Sequence, residues 1–145
     1  MINRIKCVFL VLLGMALLSA CSDKKQSSYE ATVAVRKIMA ERKKAIETKD
    51  INLYKSLFLP NYNDSKTTLK DQIEFMQSVF RRFKKIEFTY RKSEVNLMFN
   101  TARTMQRIYY TPDDAKKPVW DDETTMYRRV NGKWYISGGI NTGLF

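Results

Sequence analysis

Histidine is absent from this 145-residue sequence, and only two cysteines are present, Cys7 and Cys21. Without histidine the chain lacks the commonest general base and the commonest protein ligand for transition metals. If Cys7 is removed with an N-terminal signal and Cys21 is modified, no free thiol remains. Thiol catalysis, disulfides and cysteine metal sites are then excluded as well. We therefore predict no metal site and no cofactor.

Long apolar runs are also scarce, and the one clear example is Cys7 to Ala20. Arg4 and Lys6 precede it without any acidic residue, which is the arrangement of a secretory signal. The run is shorter than the roughly 20 residues that a membrane-spanning helix needs. It ends in small residues of the kind that a signal peptidase requires. An uncleaved membrane anchor is therefore ranked second to a cleaved signal.

The sequence Leu18-Ser19-Ala20-Cys21 resembles a bacterial lipobox. The resemblance implies that the Cys21 thiol receives a diacylglycerol, that the chain is cut before Cys21, and that the new amine is acylated, for example with palmitate. Two or more acyl chains anchor a protein stably to a membrane, whereas one binds only marginally. We predict a signal peptide at 1–20, then a lipidated Cys21 and polar tether at 21–29. Ser22 after the cysteine, where an Asp would favour inner-membrane retention, indicates the periplasmic face of the outer membrane if the host is Gram-negative.

Acidic residues are few beside the basic ones, 15 Asp and Glu against 26 Lys and Arg. Without Arg4 and Lys6 the balance is 24 to 15, a net charge of +9. In an exported protein this charge favours anionic lipid headgroups, lipopolysaccharide or cell-wall polymers over nucleic acid. The individual basic clusters are interpreted first as solvated faces: Arg81-Arg82 with Lys84-Lys85, Arg91-Lys92 and Arg128-Arg129.

The segment 30–145 has the pattern of one domain that begins with helices. A first helix is predicted by apolar residues at helical spacing, with Lys and Arg opposite: Val35, Ile38, Met39, Ala45 and Ile46. Asp50 is placed to cap a second, short helix that reaches Phe58, and Pro60 ends it. Thr68, with Asp71 three residues later, predicts the start of a third helix through a capping box.

After Lys85 the apolar spacing changes to two, which predicts four antiparallel strands. The parity of the apolar residues reverses across 91–94, so a bulge is predicted there. Asn131-Gly132 between alternating runs predicts a tight hairpin. Its pairing places Tyr127, Arg129, Trp134 and Ile136 on one face of the sheet, and Met126, Arg128, Val130 and Tyr135 on the other. In the strand that contains Arg107 and Tyr109, parity alone does not show which of the two faces points inward.

Helices followed by antiparallel strands make an α+β order. The stretch "AIETKDINLYKSLFLPNYND" and the closing "NGKWYISGG" resemble the nuclear transport factor 2-like (NTF2-like) superfamily, which includes SnoaL and ketosteroid isomerase-like proteins. The resemblance runs from Glu30 to the C-terminus and rests on Lys49-Asp50 with Tyr54, on Pro60 to Tyr62, and on the final motif. It implies N-terminal helices packed on a strongly curved antiparallel sheet, a cone whose open end often forms a pocket. Enzymes and non-catalytic modules share this fold, so the fold does not decide the function.

Catalysis in such a pocket requires a carboxylate base and donors for an oxyanion, and the dehydratase-like members rely on an Asp and a His. The absence of histidine excludes that dehydratase pattern. Asp121, Asp122 and Glu123 are expected near solvent at a strand end. Glu94, at the predicted bulge, is the remaining candidate base. A pocket enzyme of the isomerase or dehydratase type is kept as an alternative.

The favoured hypothesis is a non-catalytic, lipid-anchored module of the cell envelope that binds a small ligand or a protein partner. Its predicted pocket is lined by Tyr54, Phe58, Tyr62, Arg107, Tyr109, Tyr127 and Trp134. Arg107, if inward, favours an anionic or carbonyl-bearing ligand. Trp134 is interpreted first as core. In a further alternative, the convex sheet face with Met126, Arg128, Val130 and Tyr135 forms a homodimer, or docks on an envelope protein or a cell-wall-linked partner.

Overall fold

A computed structural model describes residues 27–65, 67–113 and 115–140. The predicted signal peptide (1–20) and the predicted lipidation site Cys21 lie outside the described residues. Three helices come first: α1 (Ser28–Thr48), α2 (Ile51–Ser56) and α3 (Leu69–Arg82). Four strands follow: β1 (Ile86–Met98), β2 (Thr101–Pro112), β3 (Val119–Val130) and β4 (Lys133–Gly138). Helix α1 thus begins two residues before the predicted start of the domain at residue 30.

Helix α1 begins at a capping box, in which the Ser27 hydroxyl accepts from the Glu30 amide and the Glu30 carboxylate accepts from the Ser27 amide. One face of the helix is buried against the sheet, in agreement with the apolar spacing. That face consists of Ala31, Val35, Ile38, Met39, Arg42, Ala45 and Ile46. It therefore includes one arginine. No helix in the described part of the chain is long and apolar enough to cross a membrane.

Helices α2 and α3 begin where the caps predicted them. The Asp50 carboxylate accepts from the Leu53 amide at 2.9 Å, and Thr68 forms a reciprocal capping box with Asp71. Each cap satisfies an amide that the first helical turn leaves without a partner. Helix α2 ends at Ser56, two residues before the predicted end at Phe58. These caps define where the chain turns between the helices.

The sheet is a meander with the strand order β1-β2-β3-β4, and all neighbours are antiparallel. The register of β1 against β2 shifts between Arg91 and Glu94, so the predicted bulge is confirmed. Inward-facing residues of β1 are Phe88 and Tyr90 before the bulge and Val95 and Leu97 after it. The bulge therefore keeps an apolar stripe against α1 along the whole strand.

The core fills the space between the helices and the concave face of the sheet. Tyr54, Phe58 and Tyr62 form an aromatic column, with ring centroids 5.1 Å apart at both contacts. Ile136 of β4 is fully buried nearby, and its backbone pairs with the chain after α2. Leu57 accepts from the Ile136 amide at 2.8 Å, and Leu59 donates to the Ile136 carbonyl at 3.0 Å. This short bridge covers the free edge of β4.

Gly139 closes the end of β4 against β3. Its φ is +79°, and a Cβ added there would lie 2.0 Å from the Thr124 carbonyl oxygen. Gly132, in the β3–β4 turn, also has a φ of +79°, but a Cβ there would meet nothing within 4 Å. The two glycines share the same backbone conformation and differ in the space around them.

We expect Gly139→Ala to lower the free energy of unfolding by roughly 2–4 kcal/mol, because it combines backbone strain with a clash against β3. Gly132→Ala serves as the matched control and is expected to cost about 1 kcal/mol, from backbone strain alone. Urea unfolding of both variants measures the difference. Equal losses would show that the close approach of Gly139 to Thr124 contributes nothing to stability.

Candidate functional site

A buried ion pair connects α1 to the sheet inside the cone. Arg42 and Glu123 are each only 3% exposed. The guanidinium donates from Nη1 to Glu123 Oε1 at 2.6 Å and from Nη2 to Oε2 at 3.0 Å. Burial opposes the charge of Arg42, but the nearby Glu123 carboxylate raises its pKa above the ordinary value. The pair is therefore charged, bidentate and shielded from water.

Two further polar side chains of the sheet saturate one oxygen of Glu123. Gln106 Nε2 donates to Glu123 Oε1 at 3.0 Å, and the Thr125 hydroxyl donates to the same oxygen at 2.9 Å. Gln106 Nε2 also lies 2.9 Å from Thr125 Oγ1. With the arginine, three donors surround Oε1. Since both carboxylate oxygens are engaged, Glu123 has little capacity left to accept a proton from a substrate.

Four polar atoms around this ion pair are buried without a hydrogen-bond partner among the described residues. They are Arg42 Nε, Tyr54 Oη, Tyr90 Oη and Gln106 Oε1. Buried polar groups are nearly always paired, with protein or with ordered water. Four such atoms in one region leave both donor and acceptor capacity unused inside the cone.

The phenols of this region are neutral. Burial raises the pKa of Tyr54 and of Tyr90, and in each case it outweighs the opposing pull of the Arg42 charge. Burial likewise raises the pKa of Tyr127, whose hydroxyl lies 3.5 Å from Thr104 Oγ1. A neutral phenol both donates and accepts a hydrogen bond. The interior thus offers hydroxyl groups rather than an additional charge.

Five of the seven predicted pocket residues lie on the interior side: Tyr54, Phe58, Tyr62, Tyr127 and Trp134 are all buried. The hydroxyl of Tyr62 donates to Asp64 Oδ2 at 2.8 Å, so it is already engaged. Burial, followed by the Asp64 carboxylate, raises the pKa of Tyr62. The aromatic column therefore forms one wall of the interior, and Tyr54 contributes its unpaired hydroxyl.

The structure places Arg107 and Tyr109 on the outer face of the sheet, so the prediction that they share a pocket with Tyr54 is wrong. Arg107 donates to both carboxylate oxygens of Asp122 at 2.8 and 2.9 Å, and its guanidinium carbon lies 4.1 Å from the centre of the Trp120 ring. The even-numbered residues of β2 face inward instead, with Gln106 and Ile108 buried. Each face of β2 carries both apolar and polar residues, so the sequence pattern could not decide which face of the strand points inward.

Two expectations about carboxylates are also corrected. Glu94 is exposed, beside the bulge, and lines a shallow groove of about 260 Å³ with Arg107 and Asp122. It does not point into the cone and is not a pocket base. Glu123, expected near solvent with Asp121 and Asp122, is one of the most buried polar residues. The strand begins at Val119, so Glu123 is already four residues inside it.

Arg42, Tyr90, Gln106 and Glu123 were not predicted as site residues. Two signals could have identified the ion pair. Arg42 follows Ile38 and Met39 at helical spacing and so falls on the apolar face of α1. Glu123 shares its parity with Tyr127, which was predicted to face inward. No group of three or more side chains that could hold a metal ion occurs in the described ranges.

Removal of one member of the ion pair is expected to be costly. Arg42→Met leaves Glu123 buried and unpaired, so the free energy of unfolding should fall by roughly 3–5 kcal/mol. The double variant Arg42→Met, Glu123→Leu should recover part of that loss, because neither charge remains. The pair Arg107–Asp122 on the outer face is the matched control, and Arg107→Met should cost much less, because water screens that pair.

Urea unfolding of these variants tests the assignment. A loss for Arg42→Met no larger than that for Arg107→Met would contradict a desolvated ion pair in the cone.

Solved structures share this architecture. An NTF2-like protein of unknown function from Pseudomonas putida KT2440 superposes with a TM-score of 0.68 at 14% identity, over 79% of this chain and 87% of that chain. Bd1075 of Bdellovibrio bacteriovorus superposes with a TM-score of 0.65 at 11% identity, over 73% of this chain and 38% of Bd1075. No protein-family model and no curated protein matches the chain.

A third structure, a protein from Streptomyces avermitilis described as a candidate dehydratase of the NTF2-like family, has a TM-score of 0.61 at 13% identity. The superposition covers 78% of this chain and 95% of that protein. The predicted α+β fold, with helices on a curved antiparallel sheet in an NTF2-like cone, is confirmed. Identities this low show the fold alone.

Proposed function

We propose that this chain is a lipid-anchored, non-catalytic module of the bacterial cell envelope that holds a small polar ligand inside its cone. The observation that carries the ligand proposal is the group of four buried polar atoms without partners around Arg42 and Glu123. Leaving such atoms unpaired costs about 1–3 kcal/mol each, so a molecule that pairs with several of them gains that energy on binding.

The chemistry of the ligand follows from the charges already present. Because Glu123 compensates Arg42, this ion pair offers no net charge to attract an anion. Arg107, on which the expectation of an anionic ligand rested, lies outside. The free Arg42 Nε–H is a donor, Gln106 Oε1 is an acceptor, and each phenol is both. These groups fit a neutral molecule with a carbonyl or hydroxyl group.

Binding without catalysis fits the carboxylates of the cone. The oxygens of Glu123 are taken by Arg42, Gln106 and Thr125. Glu94 lies on the outer face, and the chain has no histidine. A pocket enzyme of the isomerase type needs a carboxylate or imidazole that can take a proton from the substrate. None of the interior groups described above is free to do so.

The double variant Tyr54→Phe, Tyr90→Phe tests the ligand proposal. Native mass spectrometry of the gently purified mature chain should show an extra mass that disappears on denaturation. The variant should lose that mass, because two lost hydrogen bonds weaken binding roughly tenfold or more. Its stability should fall little, since neither hydroxyl has a well-formed hydrogen bond to another of the described residues.

Tyr135→Phe, which changes a half-buried phenol of the outer face, is the control and should retain the extra mass. A bare mass for the unchanged chain would remove the small-ligand proposal. A dimer mass without a small molecule would instead support the alternative of a docking or dimerisation subunit. That alternative is favoured by Met126 and Val130, which are exposed beside Arg128 on the outer sheet face.

The anchoring proposal has its own test. Expression of Cys21→Ser should give a chain that is neither lipidated nor cut before residue 21, because the thiol that accepts the diacylglycerol is missing. The intact mass of the unchanged mature chain should correspond to residues 21–145 plus diacylglycerol and an acyl chain. A mature mass without lipid would contradict the lipobox interpretation and leave the ligand proposal untouched. In a Gram-negative host, we expect the lipidated form in the outer-membrane fraction.

A further inference from the structure

Two of the three most exposed large apolar side chains among the described residues lie at the connection between β1 and β2. Phe99 is 95% exposed and Met98 is 70% exposed. A phenylalanine ring in this position gains nothing from folding, because it remains in water. Single exposed apolar residues are ordinary on a protein surface, but two adjacent large ones at the tip of a hairpin indicate contact with something outside the domain.

The backbone of Phe99 strengthens this point. Its φ is +51°, in the left-handed region that glycine and asparagine occupy with little strain. A bulky residue is disfavoured there, and neither burial nor turn geometry accounts for phenylalanine at this position. Such an outlier is a reason to look for a role outside the fold.

The beginning of α1 lies at the same end of the molecule. Along α1 and β1, Lys43 contacts the Phe88 carbonyl and Met39 contacts Ser93. From Met39 back to Tyr29 the helix extends about 15 Å, and from Ser93 to Met98 the strand extends about 16 Å in the same direction. Tyr29, which is 77% exposed, therefore lies toward the same end of the domain as the hairpin tip. The chain continues from this end toward Cys21.

The end of β3 joins the same region. The Arg129 amide donates to the Asn100 carbonyl at 2.7 Å, which places the β3–β4 turn beside the β1–β2 turn. We call the two turns, with the first turn of α1, the hairpin end. The segments 96–103 and 126–135 contain no acidic residue, and their basic residues are Arg103, Arg128, Arg129 and Lys133. The hairpin end therefore combines projecting apolar side chains with positive charge.

We propose that the hairpin end rests on an anionic lipid bilayer, with Phe99 and Met98 in the interfacial layer and the exposed cations Arg103, Arg128 and Lys133 beside the headgroups. A bilayer accepts a projecting ring without a complementary pocket, and anionic headgroups attract a surface on which cations outnumber the one acidic residue, Glu30 of the first turn of α1. A second copy of this end would instead bring like charges together. The six residue-to-residue steps from Cys21 to Ser27 span at most about 22 Å, so a lipid on Cys21 would hold this end close to the membrane. Only this last argument rests on the proposed anchoring.

Fluorescence quenching by brominated lipids tests the proposal. The mature chain is reconstituted into vesicles of phosphatidylethanolamine and phosphatidylglycerol with brominated acyl chains. The variant Phe99→Trp should add a fluorophore that these lipids quench strongly. Val119→Trp is the matched control: Val119 is also an exposed apolar residue, but it lies about 30 Å away at the other end of the sheet. The added fluorescence of that variant should not be quenched, nor should that of the native Trp120.

Met98→Trp provides a second probe at the same tip, should Phe99→Trp disturb the turn. Replacement of phosphatidylglycerol by phosphatidylcholine should reduce the quenching at residue 99 at least about twofold, since the cations lose their counterpart. No quenching at residues 98 and 99 in vesicle-bound protein, or stronger quenching at residue 119, would overturn the proposal. A mature chain without lipid would remove only the anchor, because quenching on added vesicles still reports contact by the hairpin end.

Discussion

The Arg42–Glu123 ion pair is the interaction on which the arrangement of helix and sheet depends. It joins the middle of α1 to the interior of β3, and the two residues lie 81 positions apart in the sequence. An apolar helix face can slide or rotate over an apolar sheet at modest cost, whereas a bidentate pair in a dry interior fixes one position. Burying two charges is expensive, and the attraction between them roughly offsets that cost only with good geometry and added hydrogen bonds. Gln106 and Thr125 supply those additional bonds.

The same network leaves the interior incompletely satisfied. A buried polar network that is fully paired rigidifies a core, and a partly paired one is destabilising unless something completes it. Glu123 is saturated, but Arg42 Nε and the hydroxyls of Tyr54 and Tyr90 have no hydrogen-bond partner among the described residues. The fold thus uses its charged groups for structure and leaves neutral donors and acceptors available. This division is the physical basis for proposing that the cone holds a polar molecule and does not transform it.

The parts of the fold that local chemistry determines could be predicted from the sequence. Asp50 and Thr68 cap helices because their side chains can reach the amides two or three residues ahead, and Asn131-Gly132 forms a hairpin because it tolerates a left-handed turn. The site was harder to predict. Arg42 is one of many basic residues in α1. Glu123 follows two acidic residues, of which Asp121 is half-buried and Asp122 is exposed. Their pairing depends on how α1 lies across the sheet, and no local pattern encodes that crossing.

The inward face of β2 shows the same limit in another form. Tyr109 and Tyr110 are adjacent, as are Arg107 and Ile108, so both faces carry large side chains and the hydrophobic pattern gives no preference. The register with β3 decides it: Tyr127, which faces inward, is opposite Ala102, so the even-numbered residues of β2 face the cone. Information of this kind lies in the pairing of two strands rather than in either one.

The bulge in β1 links the interior of the cone to the hairpin end. Before it, Phe88 and Tyr90 face the ion pair; after it, the parity changes, so Val95 and Leu97 still face α1. Without the extra residue, that second half of β1 would turn its apolar side chains to the outer face, and α1 would lose its packing near its first turns. With the bulge, β1 places the Tyr90 phenol in the cone, and its second half still packs on the core up to the exposed connection at Phe99. A single backbone irregularity thus allows one strand to serve an internal site and a terminal surface.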